Sequence, residues 1–553
     1  MKKLLALLLC AAMIAGLFAG CGSYEEEAYV PTGDALADED ADLFQKETEP
    51  EIEQELTLVY YPELSLHPYE CSDYTNRTVL SLIYQSLFVV NSENEPMPLL
   101  CKNYSVSDDM MEYTIYLHEA TFSDGTPLTA EHVEESLWAA YESVVYRGRF
   151  QNVWDFEANE DGSLTILLAT PYENFPLLLD VPILKIEPEP EVEETEPAEG
   201  ETDTTEPTET EPTQPEEEEN ALPLGTGPYV LDTSLSGARL RRVKDWWCEE
   251  MVNLPVTASS VKLREAESPA QVRDAFEFED VGLVCANPGS DSYADFRCDY
   301  EHWAIESGLF LYIGFNMDSE GESLFKNQSL RQAFTHAINR DLLVDYYYRG
   351  YGMSASLPAS PGSPYYDETL AAQYAYDPEA FKQAVVNAGA VGTEITMLVN
   401  AGDSLRMRVA KDIKEMLEDA GLEVKLLEYE GDYYYAAISN RDSYDLYLAQ
   451  TKLSANMDLT PFFYVYGSLS YGALDNEAVY AMCKETLASE SNYYSLHKLV
   501  MDQGLICPIL FQKYAVYATR GLLTGLTPAR DNVFYYDFGV DMGDAQVSIE
   551  EME

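Results

Sequence analysis

Positive charge is what this sequence has least of. Its 33 Lys and Arg face 98 Asp and Glu, a formal net charge of −65 over 553 residues. Sequence-independent nucleic-acid binding needs clustered cations to neutralise phosphates, so no nucleic-acid partner is expected. Electrostatic adhesion to anionic lipid is disfavoured for the same reason. The folded body is expected to repel polyanionic ligands unless a local basic patch intervenes. Histidine is also scarce, with 6 copies, none at ligand spacing from a cysteine, so neither a metal site nor a cofactor is expected. HExxH, a G-x-S-x-G elbow and a Walker loop are all missing, which argues against an enzyme. Beyond the N-terminus no apolar run is long enough to span a bilayer. No CxxC occurs, and an odd number of cysteines follows Cys21, with Cys285 and Cys298 the pair to test first.

What is present points to an exported, globular chain. Hydrophobic residues make up 46% and aromatics 12%, enough to pack several domains, and 41 tyrosines outnumber 20 phenylalanines. Tyrosine joins an apolar ring to a polar tip, which suits either a half-buried strand or the wall of a wet cleft. Lys2 and Lys3 precede an apolar run from Leu4 to Phe18, then Ala19, Gly20 and Cys21, the pattern of a secretory leader. Leu17 to Cys21 also resembles a bacterial lipobox, which implies two acyl chains on Cys21 and stable anchoring at the outer face of the cell membrane. Residues 22–55 are acidic and without periodicity, and read as a disordered tether. Residues 187–220, almost wholly Glu, Thr and Pro, read as an insertion that cannot form a core.

Elsewhere the periodicities alternate between strand and helix. Strands are expected at Leu56–Tyr61, Tyr113–Leu117, Leu309–Phe315 and Glu423–Leu427, and helices at Thr129–Tyr141, Ser329–Tyr348, Asp377–Ala388 and Ser404–Ala420. Val79–Val90 reads as an apolar helix leading into a strand. Such alternation indicates α/β lobes with partly parallel sheets.

Five segments in register carry a family resemblance. They are Phe122-Ser123-Asp124-Gly125-Thr126-Pro127-Leu128-Thr129-Ala130-Glu131-His132-Val133, Gly225-Thr226-Gly227-Pro228-Tyr229, and Phe315-Asn316 with Arg331-Gln332-Ala333-Phe334 and Ala337-Ile338-Asn339-Arg340. Tyr376-Asp377-Pro378 with Ala388-Gly389, then Tyr444-Asp445-Leu446, complete the set. Together they resemble the bacterial extracellular solute-binding proteins of family 5, the oligopeptide-, dipeptide- and nickel-binding group, with His132 and Asn339 standing where the family has Asp. Physically these motifs read as turns, helix caps and carbonyl-holding arginines, which identify a fold without touching ligand.

The resemblance implies a two-lobed periplasmic-binding-protein-like (type 2) fold with an extra domain on the first lobe. It divides the chain into a leader (1–20), the tether (21–55), first lobe (56–90, 221–310 and 506–553), extra domain (91–186), insertion (187–220) and second lobe (311–505). It implies a monomeric binding protein of an ABC importer that delivers a small ligand, a peptide first, to permease subunits. An oligosaccharide or other small solute, or a non-transport sensor or adhesion role, stays open beside it. Peptide-binding members hold the peptide's amino group with an Asp; here Ser454 falls at that place, and Asp458 takes the role only if the loop shifts register. The candidate ligand contacts are Tyr69, Ser72, Asp73, Tyr74 and Asn76 in a loop after the first strand, Asn316 in the F-N motif, and Lys452, Asn456 and Asp458.

Overall fold

A computed structural model describes residues 56–186, 222–233, 237–278, 280–289, 296–317, 323–440, 444–472, 476–523 and 526–534. The leader, Cys21, the tether and the 187–220 insertion lie outside these residues. No helix among the described residues is long and apolar enough to cross a membrane.

In chain order the strands are β1 (Leu56–Tyr60), β2 (Phe88–Val90), β3 (Pro96–Pro98), β4 (Cys101–Val106), β5 (Glu112–Leu117), β6 (Val153–Ala158), β7 (Leu164–Leu168), β8 (Tyr229–Asp232) and β9 (Arg239–Arg242). They continue with β10 (Ser260–Glu265), β11 (Leu283–Ala286), β12 (Tyr300–Phe315), β13 (Gly352–Ser354), β14 (Glu394–Asn400), β15 (Glu423–Tyr429), β16 (Leu446–Lys452) and β17 (Ile506–Thr519). Two four-stranded sheets, β1-β10-β9-β8 and β4-β5-β7-β6, and a β2-β3 ribbon build one part of the molecule. A seven-stranded sheet, β11-β17-β12-β16-β14-β15 with β13 on β17, forms the rest. Its β14 pairs parallel with β15 and β16, and helices cover it, as a parallel sheet buried on both faces requires. The helix Ser404–Asp419 shows why: Asp403 caps it, and Leu405, Val409, Ala410, Ile413 and Leu417 bury one stripe.

The long strands β12 and β17 connect the two parts. Residues Tyr300–Glu306 of β12 pair with Thr519–Lys513 of β17, which carries β11 on its other side. Past a register shift at Ser307 and Gly308, Leu309–Gly314 pair with the Gln512–Ile506 half of β17 and, on the opposite edge, Leu309–Phe315 pair with β16. A two-residue bulge therefore marks the point where the strands pass from one set of neighbours to another. Gly308 sits there at φ 69°, and a Cβ on it would fall 2.3 Å from Arg530 Nη2 and 2.7 Å from the Leu453 carbonyl. Only glycine meets both demands.

Several expectations need correcting. The Ser329–Tyr348 helix is two helices, Gln328–Phe334 and Arg340–Tyr347, with extended Ile338 between them. Asn339 caps the second, and the Arg340 guanidinium donates to the carbonyls of Thr335 (3.0 Å) and Pro508 (2.9 Å), so side chains hold the break. Of the helix leading into a strand expected over Val79–Val90, the strand is β2 (Phe88–Val90), whereas the helix spans Tyr74–Leu80 and gives way to turns before it. Cys285 and Cys298 form no disulfide. Cys285 belongs to the core that includes Leu56 and Tyr84, Cys298 packs against the separate cluster that includes Phe276, and no disulfide occurs among the described residues. Gly225 and Gly227 serve close approach rather than a bend: a Cβ on either would lie 2.3 or 2.5 Å from the Ile83 carbonyl. In the first motif His132 replaces Asp yet completes a capping box, its Nδ1 3.2 Å from the Thr129 backbone N–H.

Candidate functional site

A cavity of about 540 Å³ opens between the 145–180 stretch and the 451–487 stretch. Small-molecule sites fall at ~300–1,000 Å³. Tyr146, Arg149 and Tyr172 form one wall, Lys452, Ser454, Asp458, Tyr464, Tyr480 and Lys484 the other, and Arg77 and Arg530 the floor. A smaller cavity of about 100 Å³ shares Arg77, Tyr146, Asp180 and Arg530 and runs on toward Tyr84, Gln85 and Asn532. Around the rim the walls touch. Glu173 N–H donates to the Leu487 carbonyl (2.8 Å), Glu490 N–H to the Glu173 carboxylate (2.7 Å), and Asn174 Nδ2 to the Tyr365 hydroxyl (3.0 Å). Asn456 Nδ2 donates to the Tyr172 hydroxyl deeper in.

The lining reverses the charge of the chain. Arg77, Arg149, Lys452, Lys484 and Arg530 face it, against Asp180 and Asp458. The local basic patch that an acidic body would need to hold an anion is therefore present. Arg149 is ion-paired with Asp180. Burial pushes the Arg149 guanidinium down to about 10, and the like charges of Arg77 and Arg530 act in the same direction. Lys452 Nζ lies 2.7 Å from the Asp531 carboxylate. Burial alone would raise that carboxyl, but Lys452, Arg77 and Arg530 overcome it and hold Asp531 well below the usual carboxylate range. Enclosure lowers the Lys452 ammonium, and Asp531 opposes it.

The turn that supplies Arg530 and Asp531 rests on the bulge of β12. Asp531, at φ 57°, donates its N–H to the Glu306 carbonyl (3.1 Å), and Arg530 Nη2 donates to the Leu453 carbonyl (2.6 Å). Leu453 N–H in turn donates to the Gly308 carbonyl (2.9 Å). The cationic floor and the strand bulge are thus one hydrogen-bonded unit.

Of the residues expected from sequence, Lys452 and Asp458 line the cavity. Asp458 accepts from Thr460 N–H (2.8 Å) and Thr460 Oγ1 (2.7 Å), and burial raises its carboxyl. Ser454 also lines it, with Oγ donating to Asn456 Oδ1 at 2.6 Å. Asn456, 1% exposed, ties Tyr172 to Tyr493 through its amide and carbonyl. Tyr74 and Lys452, from distant parts of the chain, meet at Asp531: the Tyr74 hydroxyl donates to its carboxylate, and Lys452 Nζ lies 5.8 Å from the Tyr74 ring centre.

The others are occupied by the fold. Asp73 caps the Tyr74–Leu80 helix. Asn76 is fully buried and holds both the N–H (2.8 Å) and carbonyl (3.0 Å) of Tyr61. Tyr69, 4% exposed, places its hydroxyl 2.8 Å from the Pro182 carbonyl. Asn316 donates to the Tyr444 carbonyl (2.8 Å), and Ser72 is exposed away from the lining. Sequence reasoning passed over Arg77, Arg149 and Arg530. Their scarcity was the available signal: in a chain this acidic, Arg147-Gly148-Arg149 and Arg530 beside Asp531 are conspicuous.

Comparison with known proteins bears on this arrangement. The family model described as bacterial extracellular solute-binding proteins, family 5, middle, matches residues 95–472. The glutathione-binding protein GsiB of Escherichia coli strain K12 is 24% identical over 391 residues, 68% of this chain and 70% of its own length. The ABC transporter substrate binding protein CtaP of Listeria monocytogenes superposes with a TM-score of 0.69 at 18% identity, over 89% of this chain and 98% of its own. NikZ of Campylobacter jejuni, in complex with Ni(L-His), gives 0.61 at 16% identity over 89% and 98%. These likenesses show a two-lobed, periplasmic-binding-protein-like α/β fold with an extra domain on the first lobe.

Proposed function

Since the chain belongs to the bacterial extracellular solute-binding proteins of family 5, we propose that it captures a small solute, a peptide first among candidates, and hands it to the permease of an ABC importer. One observation carries this reading: the cavity walls come from both sides of the β12 bulge, so a bound solute touches both halves at once. A ligand shifts an open–closed equilibrium only by its difference in affinity for the two states, and contact with both walls supplies that difference. β12 and β17, offset at Ser307–Gly308, are the natural hinge between them. We set the boundary between lobes there, so that the second lobe takes in β17 as far as Gln512 instead of ending at residue 505. No catalytic step is part of the reading.

Export and anchoring complete the proposal. The Leu17 to Cys21 stretch supports lipidation of Cys21, which places the binding body on the outer face of the membrane. Palmitate labelling in the producing cell should mark the wild type and leave Cys21→Ser unlabelled and released; equal labelling of both would remove the anchor.

The binding reading is tested by small-angle scattering and thermal unfolding of the full chain against peptides, sugars and metal complexes. A true ligand should raise the melting temperature, because it binds only the native state, and shrink the radius of gyration. If no compound does either, the protein is not a solute carrier.

A further inference from the structure

The charge in the cavity narrows the ligand further, on the premise that the solute-binding reading holds. We infer that the solute is a small carboxylate-bearing anion, taken without help from any ammonium group, with one carboxylate seated on Arg530. Arg530 is 5% exposed, and its Nη1 is buried without a hydrogen-bond partner among the described residues. Its Nη2 is used on the Leu453 carbonyl, and the neighbouring Asp531 is engaged by Lys452 and Tyr74. A buried guanidinium edge left open is destabilising unless an anion completes it. Arg530 and Arg77 line both cavities, so the open edge belongs to a side chain at their junction.

Two more cations line the larger cavity: Lys484 has no ion pair among the described residues, and Arg77 shares the Asp531 carboxylate with Lys452 and Arg530. Arg77 lies over the Tyr74 ring at 5.6 Å, and Lys484 over the Tyr480 ring at 4.8 Å. The acids lining the larger cavity are spent. Asp180 is paired with Arg149, and Asp458 is folded back onto Thr460. An incoming ammonium would find no carboxylate to receive it, whereas an incoming carboxylate finds a planar fork and two flanking charges. The repulsion that Arg77 and Arg530 exert on Arg149 is relieved by the same anion. Selectivity therefore rests on the acid group of the solute, and a blocked or missing amino group is no handicap.

Four probes test this on the full chain by isothermal titration: citrate, acetyl-Ala-Glu, free Ala-Glu, and Ala-Gln amide. Acetyl-Ala-Glu or citrate should bind at least as tightly as free Ala-Glu, and the amide about tenfold or more weaker, the size of one charge-assisted contact. Citrate without acetyl-Ala-Glu would assign the site to free polycarboxylates, and the reverse to acidic peptides. Arg530→Gln should weaken the best acid at least about tenfold. Arg530→Lys keeps the charge but loses the fork and should fall between, and Arg273→Gln, which removes a cation outside the lining of both cavities, should leave affinity unchanged. Equal or tighter binding of the amide, or a free amino group that strengthens binding, overturns the inference and leaves solute binding standing. Failure of every probe, while neutral or cationic compounds do stabilise the chain, overturns it equally. Only the absence of stabilisation by any compound of any charge removes the solute-binding reading itself.

Discussion

At the residue scale the clearest division is between polar groups that serve the backbone and those left for a solute. Asn76 is of the first kind. Its amide closes on Tyr61 and Leu64 inside the protein, so Asn76→Ala leaves buried backbone groups unsatisfied. Urea unfolding should show a loss of about 2–3 kcal/mol with ligand affinity kept, a pattern opposite to that of Arg530→Gln. His497 makes a second case. It is fully buried, both ring nitrogens lack partners among the described residues, and burial pushes its imidazole down from 6.5 to about 3. The unfolded chain then binds a proton that the native state refuses, so the stability His497 allows is complete above pH ~6.5 and is lost as pH falls toward 3. Melting temperatures of His497→Leu should therefore decline less steeply than wild type between pH 6.5 and 4. Parallel curves would mean that His497 reaches solvent in the native state.

At the scale of elements, the β12 bulge decides whether the molecule can move. Gly308→Ala must place a methyl group against the Arg530 guanidinium and the Leu453 carbonyl while holding a left-handed backbone. That conformation costs a non-glycine residue roughly 1–3 kcal/mol. Ligand affinity should drop, and scattering should show less compaction at saturation; full compaction would move the pivot elsewhere.

Elements were largely legible where one period ran unbroken, as in Ser404–Asp419, with one buried stripe, or Tyr113–Leu117, where burial alternates along the strand. They were not legible where two short helices shared one apolar stripe, because Ile338 keeps the period while Asn339 and Arg340 break the backbone. The motifs pointed correctly to the fold and to structural roles for Arg331, which donates to the carbonyls of Gly504 (3.0 Å) and Phe325 (2.7 Å), and for Arg340. The cationic lining was beyond reach as a cluster, since Arg77, Arg149 and Arg530 come from three distant parts of the chain and meet only through tertiary folding.

For the whole molecule, the contrast between a −65 chain and a cationic cavity sets the approach of a ligand. At low ionic strength the body repels an acidic solute over distances of about 30 Å, and at 0.1 M salt over only about 10 Å. Once inside, the solute meets cations within bonding distance, where screening is weak. Stopped-flow fluorescence should then show association of acetyl-Ala-Glu speeding up with added salt while dissociation changes little. Slower association with salt would mean that the field at the entrance is positive rather than negative.

Gly308 lies directly beneath the guanidinium that would meet the cargo, with no lever or relay between grip and fulcrum. Recognition and movement become a single event, which spares the protein any long-range wiring. It also binds its evolution: a lineage that turns to a cargo of different charge has to rebuild the pivot in the same step.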